Sequence, residues 1–394
     1  MPKRIAFCSD GTWQNPADRT NVYRLYNSLL VSSDQMTFYD DGVGADATGL
    51  DRLIQGAFGT DLFQKITNAY TKIAHVYEPG DQLYLFGFSR GAYTVRALAG
   101  FMANCGIPTG SFTDNAVTQL FSAYRNPATR AAAIAAVAGS SDAPQGLTQP
   151  VITMLGCWDT VGALGIPAIF GGIDVSQFGF LDTTLHPSVQ NAVHCLGLDE
   201  VRAQFPVTLW TAANPPNPNQ TLDQVWFSGC HGDVGGGLQQ GGPVDGGTRL
   251  CDITMGYMVA KAQALGLAFD PATLATYAAL PAEYALDAIN ASWKATDGPP
   301  KLRPVPAGSR IASSDEDADA LGSRLLPQQM IERNLCVVHF GFAQAKAHRH
   351  DRGKRFIDDV RRRDVHAVRG GGGGADYIVD LRLGSHCSRP LQIE

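Results

Sequence analysis

A membrane span needs roughly 20 consecutive apolar residues, and no stretch of this 394-residue chain approaches that length. The first eleven residues turn polar after the short run Ile5–Cys8. A secretory signal needs an apolar core of about 7–15 residues, so none is expected. A cytoplasmic protein is the expectation, with secretion by a signal-less route left open. The eight cysteines form no CxxC pair and no zinc-like spacing, which argues against a disulfide framework and a structural zinc site. Cys8, Cys157 and Cys230 lie in apolar runs and read as reduced core thiols. Charge is scarce at 17%, and 37 acidic against 31 basic residues give a net of −6. Nucleic acid is therefore not an expected partner.

Apolar residues are not scarce. They make up 44% of the chain, beside 43 glycines and 22 prolines. That excludes a chain disordered for want of a core and points to many tight turns. Short apolar runs alternate with amphipathic stretches. Arg4–Ser9, Gln35–Tyr39, Gln82–Phe88, Val151–Trp158 and Gln224–Cys230 read as strands. Asn21–Ser32, Thr60–Tyr77, Ala92–Cys105, Thr113–Gly139, Ala192–Gln204 and Leu250–Gly266 read as helical, the last with Gly266 as C-cap. Such alternation predicts an α/β fold with a mostly parallel central sheet, helices on both faces, and helical or loop insertions near the site.

The balance shifts near residue 300. Residues 1–300 carry a net −10 and residues 301–394 a net +4, with a five-glycine stretch at Gly370–Gly374. The chain thus divides into an expected catalytic domain, 1–300, and an atypical, partly disordered tail, 301–394.

The densest local signal is Gly87-Phe88-Ser89-Arg90-Gly91, a G-x-S-x-G between an apolar strand and a helix. A serine at such a turn is held with its hydroxyl exposed, and small residues on either side let strand and helix pass close by. The Arg90 N–H, at the helix N-terminus, is placed to meet a developing oxyanion. A serine nucleophile needs a base and an orienting acid. Asp159 follows the strand Val151–Trp158, and His231 follows Gln224–Cys230. Both fall at C-terminal strand ends, where parallel sheets build sites, and Ser89, Asp159, His231 is the chain order of α/β-hydrolase triads. Asp233 is an alternative acid or a cap for the glycine turn after it. His194 reads as a helical core or supporting residue, His75 as a partly exposed helix residue, and His339 as the alternative base in the tail. His186, His348, His350, His366 and His386 read as loop or tail residues. Further oxyanion donors are sought in the loop after the first strand, at Gly11 and Thr12, with Asp10 ordering that loop.

Two rival chemistries share these residues. Asp-Gly-Thr after a strand also ends the phosphatase signature D-x-D-G-T, but the nucleophile position there is Cys8. Asp10, Asp159, His231 and Asp233 could instead converge on a divalent ion, although no HExxH occurs.

Six stretches together resemble one family: Lys3–Trp13, Gly87–Ala92, Cys157–Gly162, Leu198–Glu200, Trp226–Gly237 and Leu250–Thr254. They are similar to the DUF2235 α/β-hydrolases, which include the catalytic domains of Tle1-class type VI secretion lipase effectors. The resemblance covers about residues 3–290. It implies an α/β-hydrolase fold and serine esterase or lipase activity, phospholipase A in the effector members. It places the nucleophile on Ser89 and the partners on Asp159, His231 and Asp233, without deciding between the two aspartates.

The apolar loop after Asp159, with Leu164, Ile166 and Phe170, and Phe88 beside the nucleophile, are the expected acyl-chain contacts. The expected substrate is a lipid or other apolar acyl ester, cleaved without a cofactor. Peripheral contact with a membrane stays open, as does the oligomeric state. A catalytically silent binding protein on the same fold and a metal-dependent hydrolase are the alternatives.

Overall fold

Strands covered on both faces are apolar at nearly every position, and the apolar runs of this chain fold that way. The computed structural model describes residues 2–312 apart from 12–13, 43–56, 141–142, 162–183, 213–216, 239–248, 281–283, 285–288 and 291–298. Seven strands make one sheet: β1 (Arg4–Ser9), β2 (Gln35–Asp40), β3 (Gln82–Phe88), β6 (Ile152–Trp158), β7 (Val189–Gly197), β8 (Thr221–Phe227) and β9 (Arg310–Ile311). Two shorter strands, β4 (Ile107–Thr109) and β5 (Gly146–Thr148), pair antiparallel apart from it. The order in the large sheet is β2-β1-β3-β6-β7-β8-β9, and every neighbouring pair is parallel.

The period-two alternation of each strand feeds two cores. Ile5, Phe7, Leu83 and Leu85 pack on one face against α2 (Ala57–Ala74), α3 (Arg90–Cys105) and α4 (Asp114–Arg125). Ala6, Cys8, Tyr84, Phe86, Met154 and Trp158 pack on the other against α1 (Asn21–Ser28) and α7 (Leu250–Ala264). The remaining described helices are α5 (Arg130–Ala138), the short α6 (His231–Gly235) and α8 (Pro271–Ala278). This is the expected α/β-hydrolase-like architecture. The six described cysteines are free, five of them buried.

Three expectations are corrected. Ala192–Gln204 is not helical: its first half belongs to β7, which pairs with β6 and β8. A short apolar run has no period that separates a buried strand from a buried helix, and here Ala192–Glu200 is buried residue after residue. The helix expected over Asn21–Ser32 stops at Ser28, because Leu29 turns extended and bridges to Phe269. The tail does not begin at residue 301. Ala312 N–H donates to the Trp226 carbonyl at 2.9 Å, β9 pairs with β8, and Arg303 is buried. The sheet includes residues on both sides of that boundary; residues 313–394 lie outside the described ones.

The strand order also sets where a site can form. The chain leaves β1 for β2 on one side, then returns to β3 on the other. The crevice between the C-terminal ends of β1 and β3 is therefore the switch point of the sheet. Ser9 pairs with Gly87 across it.

Candidate active site

Ser89 follows directly from β3 and opens α3. Its backbone lies at φ 57°, ψ −121°, a region costly for any residue with a Cβ. Two features hold it there. Ser89 N–H donates to the Trp158 carbonyl at 3.0 Å, which locks the turn to β6. The turn is also crowded: a Cβ on Gly91 would stand 2.1 Å from the Ser9 carbonyl oxygen, and one on Gly87 2.5 Å from that of Gly91. Glycine at 87 and 91 is thus a packing requirement of the elbow. Gly91→Ala is expected to lower stability by about 3 kcal/mol, the upper range of overpacking, read from the denaturant midpoint.

Phe88 pairs with Trp158, so Ser89 and Asp159 leave adjacent strands at the same level. Asp159 is fully buried and also sits at positive φ, 40°. Its N–H donates to the Cys195 carbonyl at 2.8 Å. His231 opens α6, just past β8, and its Nδ1–H donates to Asp159 Oδ2 at 2.6 Å. A carboxylate only accepts, so the proton sits on Nδ1 and the Nε2 lone pair is left to act as a base.

The imidazole is clamped on its faces as well. The Phe88 ring lies 4.5 Å from it and the Phe205 ring 5.0 Å, centroid to centroid. Phe88, expected against the acyl chain, is 1% exposed here and packs on the histidine. Glu200 accepts from the His231 backbone N–H at 3.2 Å and is itself held by Arg202 at 2.8 Å.

The neighbour that sequence reasoning missed is Arg303. Its Nη1 and Nη2 donate to Asp159 Oδ1 and Oδ2 at 2.6 and 2.8 Å. Nη1 also donates to the Gly197 carbonyl at 2.8 Å, and Nε and Nη2 to that of Phe205 at 3.2 and 2.8 Å. All five guanidinium donors are used. Gly197 N–H adds a fourth bond to the Asp159 carboxylate at 2.9 Å. Burial alone would raise the Asp159 carboxyl, but the Arg303 charge and the His231 bond outweigh it and hold it far below the usual range. Burial lowers His231; Asp159 and Glu200 oppose this and Arg303 adds to it.

Asp233 does not reach into this arrangement. Its Oδ2 accepts from Cys230 N–H at 2.9 Å and Asn290 N–H at 3.0 Å, and its Oδ1 from the Asn290 amide. It caps the N-terminus of α6, where the sequence pointed to the glycine turn after it.

The loop after β1 does come to Ser89. A Cβ on Gly11 would stand 3.3 Å from Ser89 Cβ. The Gly11 amide is engaged, however: it donates to Asp10 Oδ1 at 2.8 Å, so it is not the oxyanion donor expected of it. Thr12 lies outside the described residues. Arg90 is the first residue of α3, as expected. Asp10 Oδ2 accepts from Thr20 Oγ1 at 2.6 Å and Tyr39 Oη at 2.8 Å. Thr20 in turn caps α1, so Asp10 ties the loop to two elements.

Burial raises the Asp10 carboxyl to about 6, against the lowering by its three hydrogen bonds. The folded value lies above the usual 3.8, so this group's contribution to stability is full below about pH 4 and is lost as pH rises through about 6. Asp10→Asn is expected to remove that loss. Its Tm relative to wild type should rise between pH 5 and pH 7.5 in parallel thermal melts. A constant difference would contradict the raised carboxyl.

His194 is on β7 and fully buried. Thr160 N–H donates to its Nε2 at 3.0 Å, and burial lowers it to about 3. It is a neutral core residue that steadies the turn after Asp159. His75, exposed at the end of α2, stacks on Phe112. His186 accepts at Nδ1 from Ser188 N–H at 3.1 Å. His339, His348, His350, His366 and His386 lie outside the described residues, as do Leu164, Ile166 and Phe170. Among the described residues no group of three or more His, Cys, Asp or Glu is placed to hold a metal ion. Asp10 and Asp233, two members of the alternative metal set, are engaged in the hydrogen bonds described above. Among the described residues no helix is long and apolar enough to cross a membrane.

Comparison with known proteins bears on the same residues. The family model described as T6SS, phospholipase effector Tle1-like, catalytic domain, matches residues 3–261. An uncharacterized protein of Saccharomyces cerevisiae is 38% identical over 122 residues, covering 27% of this chain and 18% of the yeast protein. Two solved structures are similar at 20% identity. One is an uncharacterized protein from Pseudomonas aeruginosa, with a TM-score of 0.45 over 72% of this chain and 50% of that one. The other is the Tle1 effector bound to the VgrG spike from the type 6 secretion system, with a TM-score of 0.34 over 62% and 52%. The chain spans about half the length of each solved structure and under a fifth of the yeast protein.

Proposed function

The chain belongs to the family of Tle1-like catalytic domains of type VI secretion phospholipase effectors, and from that premise we propose that it is a serine hydrolase of lipid or other apolar acyl esters. Ser89 is the nucleophile, His231 the general base and acid, and Asp159 the orienting acid. The observation that carries the reading is the His231 Nδ1–Asp159 bond of 2.6 Å at the strand end beside a serine held at φ 57°.

The chemistry follows from that geometry. His231 Nε2 takes the Ser89 Oγ proton as Oγ attacks the ester carbonyl. The Arg90 N–H, at the head of α3, stabilises the oxyanion. His231 then protonates the leaving alcohol, and the acyl group stays on Oγ. Water, deprotonated by the same nitrogen, attacks the acyl carbon; the acyl–Oγ bond breaks, His231 returns the proton to Oγ, and the acid leaves. Asp159 holds the Nδ1–H tautomer throughout and balances the imidazolium.

The family description points to phospholipids, and the apolar run of residues 164–170 is consistent with an acyl-chain site. The test is a fluorophosphonate probe with an ester series of rising chain length and phosphatidylcholine vesicles. Covalent labelling and turnover with a preference for longer chains are expected. A folded protein that neither labels nor turns over any ester leaves the binding-protein alternative in the lead.

A further inference from the structure

Arg303 lies beyond residues 3–261, the part of the chain that the family model matches. Yet it makes more bonds to Asp159 than His231 does. We infer that Arg303 is a positioning residue of the ester-hydrolase site, holding the Asp159 carboxylate in line with His231 Nδ1 and opposing positive charge on the imidazole. The inference rests on the Ser89–His231–Asp159 reading and adds to it a residue from outside the matched segment.

The geometric part is the bidentate fork. Two parallel N–H···O bonds fix the plane of a carboxylate, where one bond leaves it free to turn. Gly197 and Phe205 carbonyls fix the guanidinium in turn. Phe205 is shared: its carbonyl accepts from Arg303 and its ring packs on His231. Arg303 therefore sets the carboxylate and, through Phe205, one wall of the imidazole.

The electrostatic part is a contest of signs around His231. Asp159 and Glu200 favour its charged form. Arg303 disfavours it, and burial disfavours it further. Phe88 and Phe205, the rings packed against it, carry no charge. Arg202 is turned to Glu200 and neutralises part of that pull. In a triad with an unpaired carboxylate, the aspartate draws the proton onto the histidine. Here burial, with the guanidinium charge added to it, opposes that draw, so the base stays neutral to lower pH.

The test uses the full-length chain with Arg303→Met and Arg303→Lys, each beside wild type and Ser89→Ala. Two readouts are needed. One is the rate of fluorophosphonate labelling against pH. The other is the His231 imidazole titration by NMR, which needs no activity. In Arg303→Met the acidic limb and the imidazole titration are expected to move up by about 1–3 pH units, the usual effect of one close charge. Labelling on the alkaline plateau should fall about tenfold or more as the carboxylate loses its fork. Arg303→Lys keeps the charge without the fork. Its limb should stay near wild type while its plateau falls, and it folds with the buried carboxylate still paired. Titrations of Arg303→Lys and Arg303→Met that coincide with each other and with wild type would overturn the inference. If Ser89→Ala still labels, the nucleophile assignment fails. The NMR titration then decides the Arg303–His231 coupling separately.

Discussion

Ser89→Ala is expected to remove ester hydrolysis and fluorophosphonate labelling together, with kcat falling on the order of 10⁴- to 10⁶-fold. The size follows from what is lost. The covalent route through an acyl-enzyme disappears, and His231 has no hydroxyl to deprotonate. What remains is binding and the oxyanion donors, which keep a residual rate above that in water. The fold should not notice. Alanine keeps the Cβ, so the backbone at φ 57° is no more strained than before, and the Tm should change little. Ser89→Gly separates the two effects further. Glycine adopts that conformation freely, so it should be inactive and about 1 kcal/mol more stable, the cost of the strain removed. A Ser89→Ala protein that retains full turnover would place the nucleophile elsewhere.

The second large effect is expected at Asp159. Asp159→Asn should lower kcat by about 10⁴-fold, because an amide that donates to Nδ1 leaves His231 in the wrong tautomer. It should also lower stability by about 3–5 kcal/mol, since the buried Arg303 guanidinium would lose its counter-charge. Both must be measured on the same preparation, with kcat expressed per folded molecule. Asp233→Asn is the matched comparison. It loosens the cap of α6 and its Asn290 contact, worth about 1–2 kcal/mol. Its kcat should stay within about threefold of wild type. A large loss of kcat at Asp233 with little at Asp159 would transfer the acid role.

The parts of this arrangement that repeat locally were readable from residue order. β1, β3 and β6 are runs apolar at almost every position, which is how a strand buried on both faces must look. Ser89 announces itself through Gly87 and Gly91, because their tight contacts demand glycine at those two positions. Asp159 and His231 are legible as the residues that follow strands. The second half of β7 reads as a helix because a buried run carries no period. Phe88 reads as a substrate contact because it stands beside Ser89, and in the fold it packs against His231 and Gly235. Arg303 had no signal at all. It stands in a proline-bordered, basic stretch, and its partner Asp159 is 144 positions away. A single arginine becomes meaningful only when the fold brings a buried carboxylate to it.

That separation has a consequence in time as well as in space. A chain is made from its N-terminus, at roughly 5–20 residues per second, and its elements can associate as they appear. Ser89, Asp159 and His231 all emerge before Arg303, which follows His231 after roughly seventy more residues, several seconds of synthesis. During that interval the nucleophile, base and acid exist without the guanidinium that aligns them. The site thus gains its last side chain when the stretch carrying Arg303 and β9 closes onto the growing sheet.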